Sequence, residues 1–377
     1  MAQSVLTPED LRAEVLRRER EWYLSDEGFL DFARDCGACP DAEYEPHGRY
    51  CLDVIVWHGE PDPVKADLIL YKGKLVLWPR GSFKSQFFNV AQAAWRIAKN
   101  PNIRIADASE TNRQAVKFVE NIKMVVDSPW YRERFGVHRG EDWKDGQFTS
   151  ALRAMTHLKE PTIQAFGVGE VQTGAHWDFG IIDDVVSQKN TRTPMAIEKT
   201  RTWFGELMAQ LDPGSQLLIL GTLHHYADLY CWMQKTDEVR RLFDVSVHAW
   251  REPSGDPDDG VEGRLFFPGR LTHEYVRRQK AILSPRLFAC FYNNSPHAGD
   301  EQLFKPSYFR VIPDEQIPRS VWVYVMSDFA FVGQQKADAE DLDPDRTCFW
   351  VVALDPNRVA YVLDFHVGRW KPSDSVR

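Results

Sequence analysis

From residue 75 to residue 220 the chain alternates between short apolar runs and longer stretches whose apolar positions recur every three or four residues. Leu75-Val76-Leu77-Trp78 reads as a buried strand, and Phe87, Phe88, Ala91, Ala94, Trp95 and Ala98 then follow at helical spacing. A second strand is predicted over 103–106, followed by a helix carrying Ala115, Phe118, Val119, Ile122 and Val126. Further strands are predicted over 162–166, 179–182 and 216–220. Apolar strands separated by helices imply crossover connections, hence a mostly parallel sheet with helices on both faces. The predicted fold class is α/β.

Ahead of this core, residues 7–23 predict a helix. Thr7 is an N-cap, Pro8 fits the first turn, and Glu9 and Asp10 suit the positive end of the helix dipole. Its Arg12, Arg17, Arg18 and Arg20 read as a solvated face. After the core, turn formers crowd 254–260, a helix is predicted over 271–291, and Pro313 and Pro318 bracket a polar segment. Three strands joined by turns are predicted over 321–326, 347–354 and 360–365, which places a domain boundary near Ser320.

Composition removes several classes. The chain has 377 residues, 46 Lys and Arg against 55 Asp and Glu, a net charge of −9, and 43% hydrophobic residues. That is globular composition, and the acidic balance argues against a protein that coats nucleic acid, although local basic patches can still grip a phosphate backbone. No run approaches the roughly 18 apolar residues of a membrane span, and the charged start lacks an apolar export signal, so no membrane partner is expected. Six cysteines without an export signal fit a reducing compartment. Cys36-x-x-Cys39 with His47 and Cys51 has ligand types that suit tetrahedral zinc, but one half alone has knuckle spacing, so a reduced loop is the stronger reading. Cys231, Cys290 and Cys348 read as small core residues. The acidic residues Asp338, Glu340, Asp341, Asp343 and Asp345 lack the glycine and closing glutamate of a calcium loop, where Arg346 and Val352 stand, so a solvated loop is expected.

The segment richest in chemistry is Leu77-Trp78-Pro79-Arg80-Gly81-Ser82-Phe83-Lys84-Ser85, where a strand runs into a tight turn and Lys-Ser opens a helix. Backbone N–H groups at such a helix start favour phosphate, the lysine neutralises it, and the serine hydroxyl can ligate Mg2+. Trp78 and Phe83 stand where the two glycines of the pattern G-x-x-x-x-G-K-[ST] belong, so the match is degenerate. Downstream, Ile181-Ile182-Asp183-Asp184 puts two carboxylates at a strand end, one suited to hold Mg2+ and one to orient an attacking water. Gly221-Thr222-Leu223-His224-His225 leaves a third strand at its C-terminal end, where open α/β sheets bind ligands.

Taken together, these segments resemble the large terminase subunit of tailed bacteriophages, an ATP-driven DNA-packaging motor. The matching parts run from about residue 45 onward. They are the Pro-Arg-Gly-x-x-Lys-Ser loop, residues 173–178 leading into Asp183-Asp184, and Gly221-Thr222-x-x-His225-x-x-Asp228-Leu229-Tyr230. Asn293-Asn294-Ser295-Pro296 with Phe304-Lys305 completes the set. The resemblance implies an ASCE-type P-loop NTPase, with ATP held by Arg80, Gly81, Ser82, Lys84 and Ser85, and Mg2+ held by Ser85 and Asp183, the Walker B carboxylate. Asp184 takes the place of the catalytic acid, where a glutamate is more usual. Arg80 is placed as a charge sensor or finger, and Thr222 and His225 match the segment that links hydrolysis to movement. The implied partners are double-stranded DNA, a portal protein, a small terminase subunit and further copies in a ring, at a procapsid vertex in the host cytoplasm. Arg132, Arg134 and Arg139 are candidate DNA contacts.

The same resemblance divides the chain into an N-terminal helical or lid segment (1–60), a P-loop ATPase core (61–250), a helical linker (251–319) and part of an RNase H-like nuclease domain (320–377). Asp328, ending the first of the three C-terminal strands, takes the place of the first nuclease ligand for Mg2+ or Mn2+. The chain stops at Arg377 before the remaining acidic ligands, and Asp364 is a poor substitute, so little nuclease activity is expected. Two other readings stay open: a packaging component whose degenerate loop no longer hydrolyses ATP, and a helicase-like DNA-dependent ATPase.

Overall fold

Eight strands form one sheet in the first of two units. The structure is a computed structural model, described over residues 7–42, 47–56, 71–170, 174–251, 263–296, 310–329 and 347–368. The first unit comprises Met1–Arg192 with Ile197–Ala298, and the second Gly299–Arg377 with Thr193–Ala196. The readings made of residues 254–260, Thr173, Phe304-Lys305 and the acidic run 338–345 lie outside the described residues.

Three helices, α1 (Pro8–Tyr23), α2 (Phe29–Asp35) and α3 (Arg49–Ile55), precede β1 (Tyr71–Leu77). A π-helical turn over Ser85–Ala91 continues directly into α4 (Gln92–Lys99). Then come β2 (Ile105–Ser109), α5 (Asn112–Val126), α6 (Pro129–Phe135), the short hairpin β3 (Trp143–Lys144) and β4 (Gln147–Phe148), β5 (Ile163–Gly167) and β6 (Trp177–Asp183). The unit continues with α7 (Pro194–Met208), β7 (Leu211–Gly221), α8 (Leu229–Lys235), α9 (Asp237–Arg240), β8 (Phe243–Val247), α10 (His273–Ile282) and α11 (Pro285–Asn293).

The strand order is β3-β4-β5-β2-β6-β7-β1-β8, parallel throughout except at the β3–β4–β5 edge. Strand alternation divides the core into two layers. Val76, Trp78, Leu218 and Leu220 pack under the π-helical turn, α4 and α5, whereas Leu75, Leu77, Leu217 and Ile219 pack under α7 and α8. The strands are buried on both faces, which is why they read as continuous apolar runs rather than alternating ones. This is the α/β class expected from the sequence. One strand, β7, separates β1 from β6. The register sets Leu77 opposite Gly221 and Asp183 opposite Leu220, so the ends of β1, β6 and β7 lie level at one edge.

Helix α1 begins as its sequence predicts, with Thr7 and Asp10 closing a capping box. Three of its arginines are paired, Arg17 and Arg18 with Glu14 and Arg17 also with Glu21, while Arg12 reaches Glu133 at 2.6 Å. The helix predicted over 271–291 is two helices. Ser284 caps α11 and Pro285 opens it, and proline has no N–H to continue α10. The hairpin β3–β4 and the edge strand β8 are additions that the apolar pattern does not announce.

The second unit holds β9 (Trp322–Asp328), β10 (Thr347–Leu354) and β11 (Ala360–Gly368), an antiparallel sheet with β10 at its centre. All three strands fall where the sequence places them.

Candidate functional site

Strand β1 ends at Leu77, and the chain must turn sharply to start the π-helical turn at Ser85. It does so through two left-handed residues, Gly81 at φ 83° and Phe83 at φ 59°. Glycine takes that conformation freely, whereas an L side chain costs roughly 1–2 kcal/mol there. Packing offsets the strain at Phe83. Its ring lies edge-on to Phe267 with centroids 6.1 Å apart, and the Arg270 guanidinium stacks on it at 3.7 Å. Ser82 and Lys84 are buried, while Arg80 and Gly81 are exposed on the rim.

The loop is supported from behind by His47. Its Nε2–H donates to the Ser82 carbonyl at 2.8 Å, and the ring stacks on Phe267 with centroids 4.1 Å apart. Burial pushes the imidazole down to about 4, so it is neutral at pH 7. Cys51 Sγ lies 3.8 Å from His47 Nδ1, and Cys36 Sγ donates to the Ala33 carbonyl at 3.6 Å. Burial pushes the thiols of Cys36 and Cys39 up to about 12 and that of Cys51 well above its ordinary value. The structure does not gather Cys36, Cys39, His47 and Cys51 into a ligand set, and among the described residues no three His, Cys, Asp or Glu side chains are so grouped. His47 instead holds the turn at Ser82.

In front of the loop, Lys84 Nζ lies 3.8 Å from Asp184 Oδ1. Ser85 faces the Asp183 carboxyl and lowers its pKa, and the backbone carbonyl of Asp183 accepts from Ser109 Oγ at 2.8 Å. Asp183 is wholly buried. Burial first, then repulsion by Asp184, pushes its carboxyl up to about 7 against the opposing pull of Lys84, Ser85 and Asn89. Asp184 is left-handed at φ 48°, a region that aspartate tolerates better than most residues, and its N–H donates to the Leu220 carbonyl at 2.9 Å. Four buried oxygens here accept no hydrogen bond from the protein: Ser82 Oγ, Asp183 Oδ1, Asp184 Oδ1 and Thr222 Oγ1. Such groups cost about 1–3 kcal/mol each when left unsatisfied. Two carboxylate oxygens beside a lysine and a serine hydroxyl suit a divalent cation bound together with a phosphate.

Arg80 is anchored beside the loop, its N–H donating to the Phe291 carbonyl at 2.8 Å and its guanidinium stacking on the Phe291 ring at 3.6 Å. At the end of β7, Gly221 leaves room for Tyr230, since a Cβ would lie 2.3 Å from that ring. Asp228 then accepts from the N–H groups of His224, His225 and Cys231 at 2.9, 3.0 and 2.8 Å, fixing the turn and capping α8. His225 and His224 open onto a cleft of about 530 Å3 that Arg192 and Arg286 also line. Lys84, Ser85, Asp183 and Asp184 thus meet at one point, with Thr222 orphaned beside them and Arg80 and His225 on flanking segments.

Asp328 lies in the second unit, exposed at the end of β9 opposite Cys348. Asp364 is on β11, level with Val325 through their shared partner Val351, and pairs with His366 at 3.3 Å. The two aspartates are therefore two strands apart, about 10 Å across the sheet, and offset along it. Their partners on β10, Cys348 and Val351, are three residues apart, an odd offset that sets the two carboxylates on opposite faces of the sheet, so they do not share a metal site.

Three polar residues support this region; sequence reasoning singled out Asn294 only within the Asn293–Pro296 match and passed over Asn89 and Asp107. Asn294, left-handed at φ 47°, donates through Nδ2 to the Leu77 and His248 carbonyls, both at 2.8 Å, and accepts from Leu223 N–H at 3.3 Å. It ties the ends of β1, β7 and β8 together. Asn89 and Asp107 are both fully buried, and Asn89 Nδ2 donates to Asp107 Oδ1 at 3.0 Å. Their signal was present as single polar residues inside apolar runs, Phe87-Phe88-Asn89-Val90 and Ile105-Ala106-Asp107-Ala108.

No protein-family model matches the chain, and no curated protein matches it. Among solved structures it is similar to the large terminase from a thermophilic bacteriophage, at 12% identity and a TM-score of 0.41 over 87% of this chain and 69% of that one. The ADP complex of the same terminase aligns over the same shares at 12% identity with a TM-score of 0.40. Its ATP-gamma-S complex gives a TM-score of 0.36 at 12% identity over 87% of this chain and 68% of that one.

Proposed function

We propose that this chain is a P-loop ATPase of the large-terminase kind, using ATP to move double-stranded DNA into a phage procapsid. The observation that carries this reading is the meeting of Lys84, Ser85, Asp183 and Asp184 at one sheet edge, with an oxygen on each aspartate that accepts no hydrogen bond. In this reading Gly81, Ser82, Lys84 and Ser85 cradle the phosphates, with the Lys84 ammonium countering their charge. Mg2+, held by Ser85 and Asp183, would neutralise charge building on the transferred phosphoryl group. Asp184 orients the attacking water. Arg80 meets phosphate charge from the rim, where its fork suits bidentate contact. Thr222 and His225 carry the change at the phosphates to the chain beyond β7.

The proposed partners are duplex DNA gripped by its phosphates, a portal protein, a small terminase subunit and further copies in a ring. The proposed site of action is the procapsid vertex in the host cytoplasm. The proposed division of labour is an N-terminal lid (1–60), an ATPase core (61–250), a linker (251–319) and a nuclease-like remainder (320–377).

ATP turnover with and without linear duplex DNA, comparing the chain with Lys84→Ala, tests the reading. Turnover that vanishes in the variant supports it. A folded chain that turns over ATP no faster than Lys84→Ala points to a binding-only packaging component, the reading favoured by strained Phe83 at a glycine position. Strand separation on a forked substrate would favour a helicase-like ATPase.

A further inference from the structure

The π-helical turn that starts at the phosphate loop places a polar side chain deep in the sheet–helix layer. Asn89 lies four residues after Ser85 and is fully buried, as are Asp107 on β2 and Asp183 on the neighbouring β6. An asparagine amide has two N–H donors, and here they are divided between two carboxylates, Asp107 Oδ1 at 3.0 Å and Asp183 Oδ2 at 3.4 Å. Carboxylate oxygens accept, so the amide nitrogen is the end that faces them. Asp183 Oδ1 is left without a protein partner. The amide thus occupies one oxygen of Asp183 and leaves the other open. Within a helix of ordinary pitch a buried asparagine is a liability; π-type turns recur at functional sites because they redirect side chains out of the regular helical register.

We propose that Asn89, anchored by Asp107, is the positioning residue of the Asp183 carboxylate, fixing its rotamer so that one oxygen stays open to the cation that accompanies the nucleotide. The inference rests on the ATPase reading above. Asp107 touches neither nucleotide nor cation in this arrangement; it holds the amide, and the amide holds Asp183. Partners that orient a metal-binding carboxylate typically change metal affinity or activity by about 10- to 100-fold when removed.

The test compares the wild-type chain, Lys84→Ala, Asn89→Leu, Asp107→Leu and Asp107→Asn, measuring ATP turnover against Mg2+ concentration and the Mg2+-free affinity for a fluorescent ADP analogue. Asn89→Leu keeps the size of the side chain and removes the donors. The expected result is a fall in kcat of roughly tenfold or more with a higher half-saturating Mg2+, while Mg2+-free ADP affinity stays at the wild-type value. Asp107→Asn retains an acceptor for the amide and is expected to stay close to wild type, whereas Asp107→Leu follows Asn89→Leu. Thermal melts identify any variant that is unfolded, and the Asp107 pair then carries the comparison. Wild-type turnover with an unchanged Mg2+ profile in folded Asn89→Leu overturns the inference and leaves the ATPase reading standing. Asp107→Asn as impaired as Asp107→Leu also overturns it. Wild-type turnover no higher than that of Lys84→Ala overturns the ATPase reading, and this inference with it.

Discussion

At the scale of single residues, Asp184 shows how backbone conformation selects chemistry. Its φ of 48° lies where aspartate, with its short polar side chain, is tolerated and where a longer acid has less reason to sit. The carboxylate is held 3.8 Å from Lys84. Asp184→Asn keeps that backbone and loses the charge. It is expected to bind a fluorescent ADP analogue as the wild type does and to lose kcat by about 10²–10⁴-fold; normal turnover would remove Asp184 from the mechanism. Phe83→Gly relieves the left-handed strain at φ 59° and is expected to leave the ATP KM no higher than wild type, measured by steady-state kinetics. Two buried imidazoles, His47 and His138, give a pH signature. Both are lowered by burial to about 4, so between pH 4 and about 6.5 the unfolded chain binds more protons than the folded one. Their contribution to stability is complete above that window and disappears as pH falls through it. The buried Asp183 carboxyl, raised to about 7, acts in the opposite sense over the same window, so the prediction is differential: between pH 7 and 4.5 the wild-type urea midpoint should lose more, or gain less, than that of His47→Phe, and equal slopes in both proteins would contradict this.

At the scale of elements, Asn294 is a joint. Three hydrogen bonds from one side chain connect β1, the chain after β7 and the chain after β8, while its left-handed φ ends α11. Asn294→Gly preserves the conformation and removes the three bonds, while the Leu77 carbonyl keeps the His248 N–H at 3.0 Å. The expected loss is about 1–3 kcal/mol, read from denaturant midpoints; a shift within error would mean that these groups find other partners. Elements also mark what could be read in advance. Helix α1 was legible to its cap because the Thr7, Pro8 and Asp10 signals are local. The break between α10 and α11 was signalled by Ser284-Pro285, but the apolar spacing runs through it. The fully buried strands were legible as apolar runs. Strand β8, Phe243-Asp244-Val245-Ser246-Val247, was not, because it lies at the sheet edge and mixes polar with apolar residues.

At the scale of the whole molecule, the arginines proposed to meet DNA already have carboxylate partners. Arg132 and Arg139 both reach Asp127, and Arg134 reaches Glu19 at 2.8 Å, so the three arginines that follow α5 are committed to carboxylates. Arg132→Ala is expected to leave the salt dependence of duplex binding unchanged, since a residue that releases no phosphate counterion contributes nothing to that slope; a shallower slope by fluorescence anisotropy would restore it as a DNA contact. The separation of Asp328 from Asp364 bears on cleavage. This chain is expected to leave supercoiled plasmid intact in Mn2+, and nicking that Asp328→Asn abolishes would show that the second unit acts as a nuclease.

The α/β class, the tight turn that carries Lys84-Ser85 and the carboxylates at the strand ends were legible from the sequence alone. Each is encoded locally, by apolar periodicity or by adjacent residues such as Lys84-Ser85 and Asp183-Asp184. Tertiary structure decided what those residues meet. The register that levels β1, β6 and β7 brings Lys84 to Asp184 across about a hundred residues of chain. It also turns His47 from a metal candidate into a support for Ser82, and joins Asn89 to Asp107 and Asp183. A buried polar residue is costly wherever it falls. Its purpose depends on the partner that compensates it, and parallel strands with long crossovers draw that partner from far along the chain.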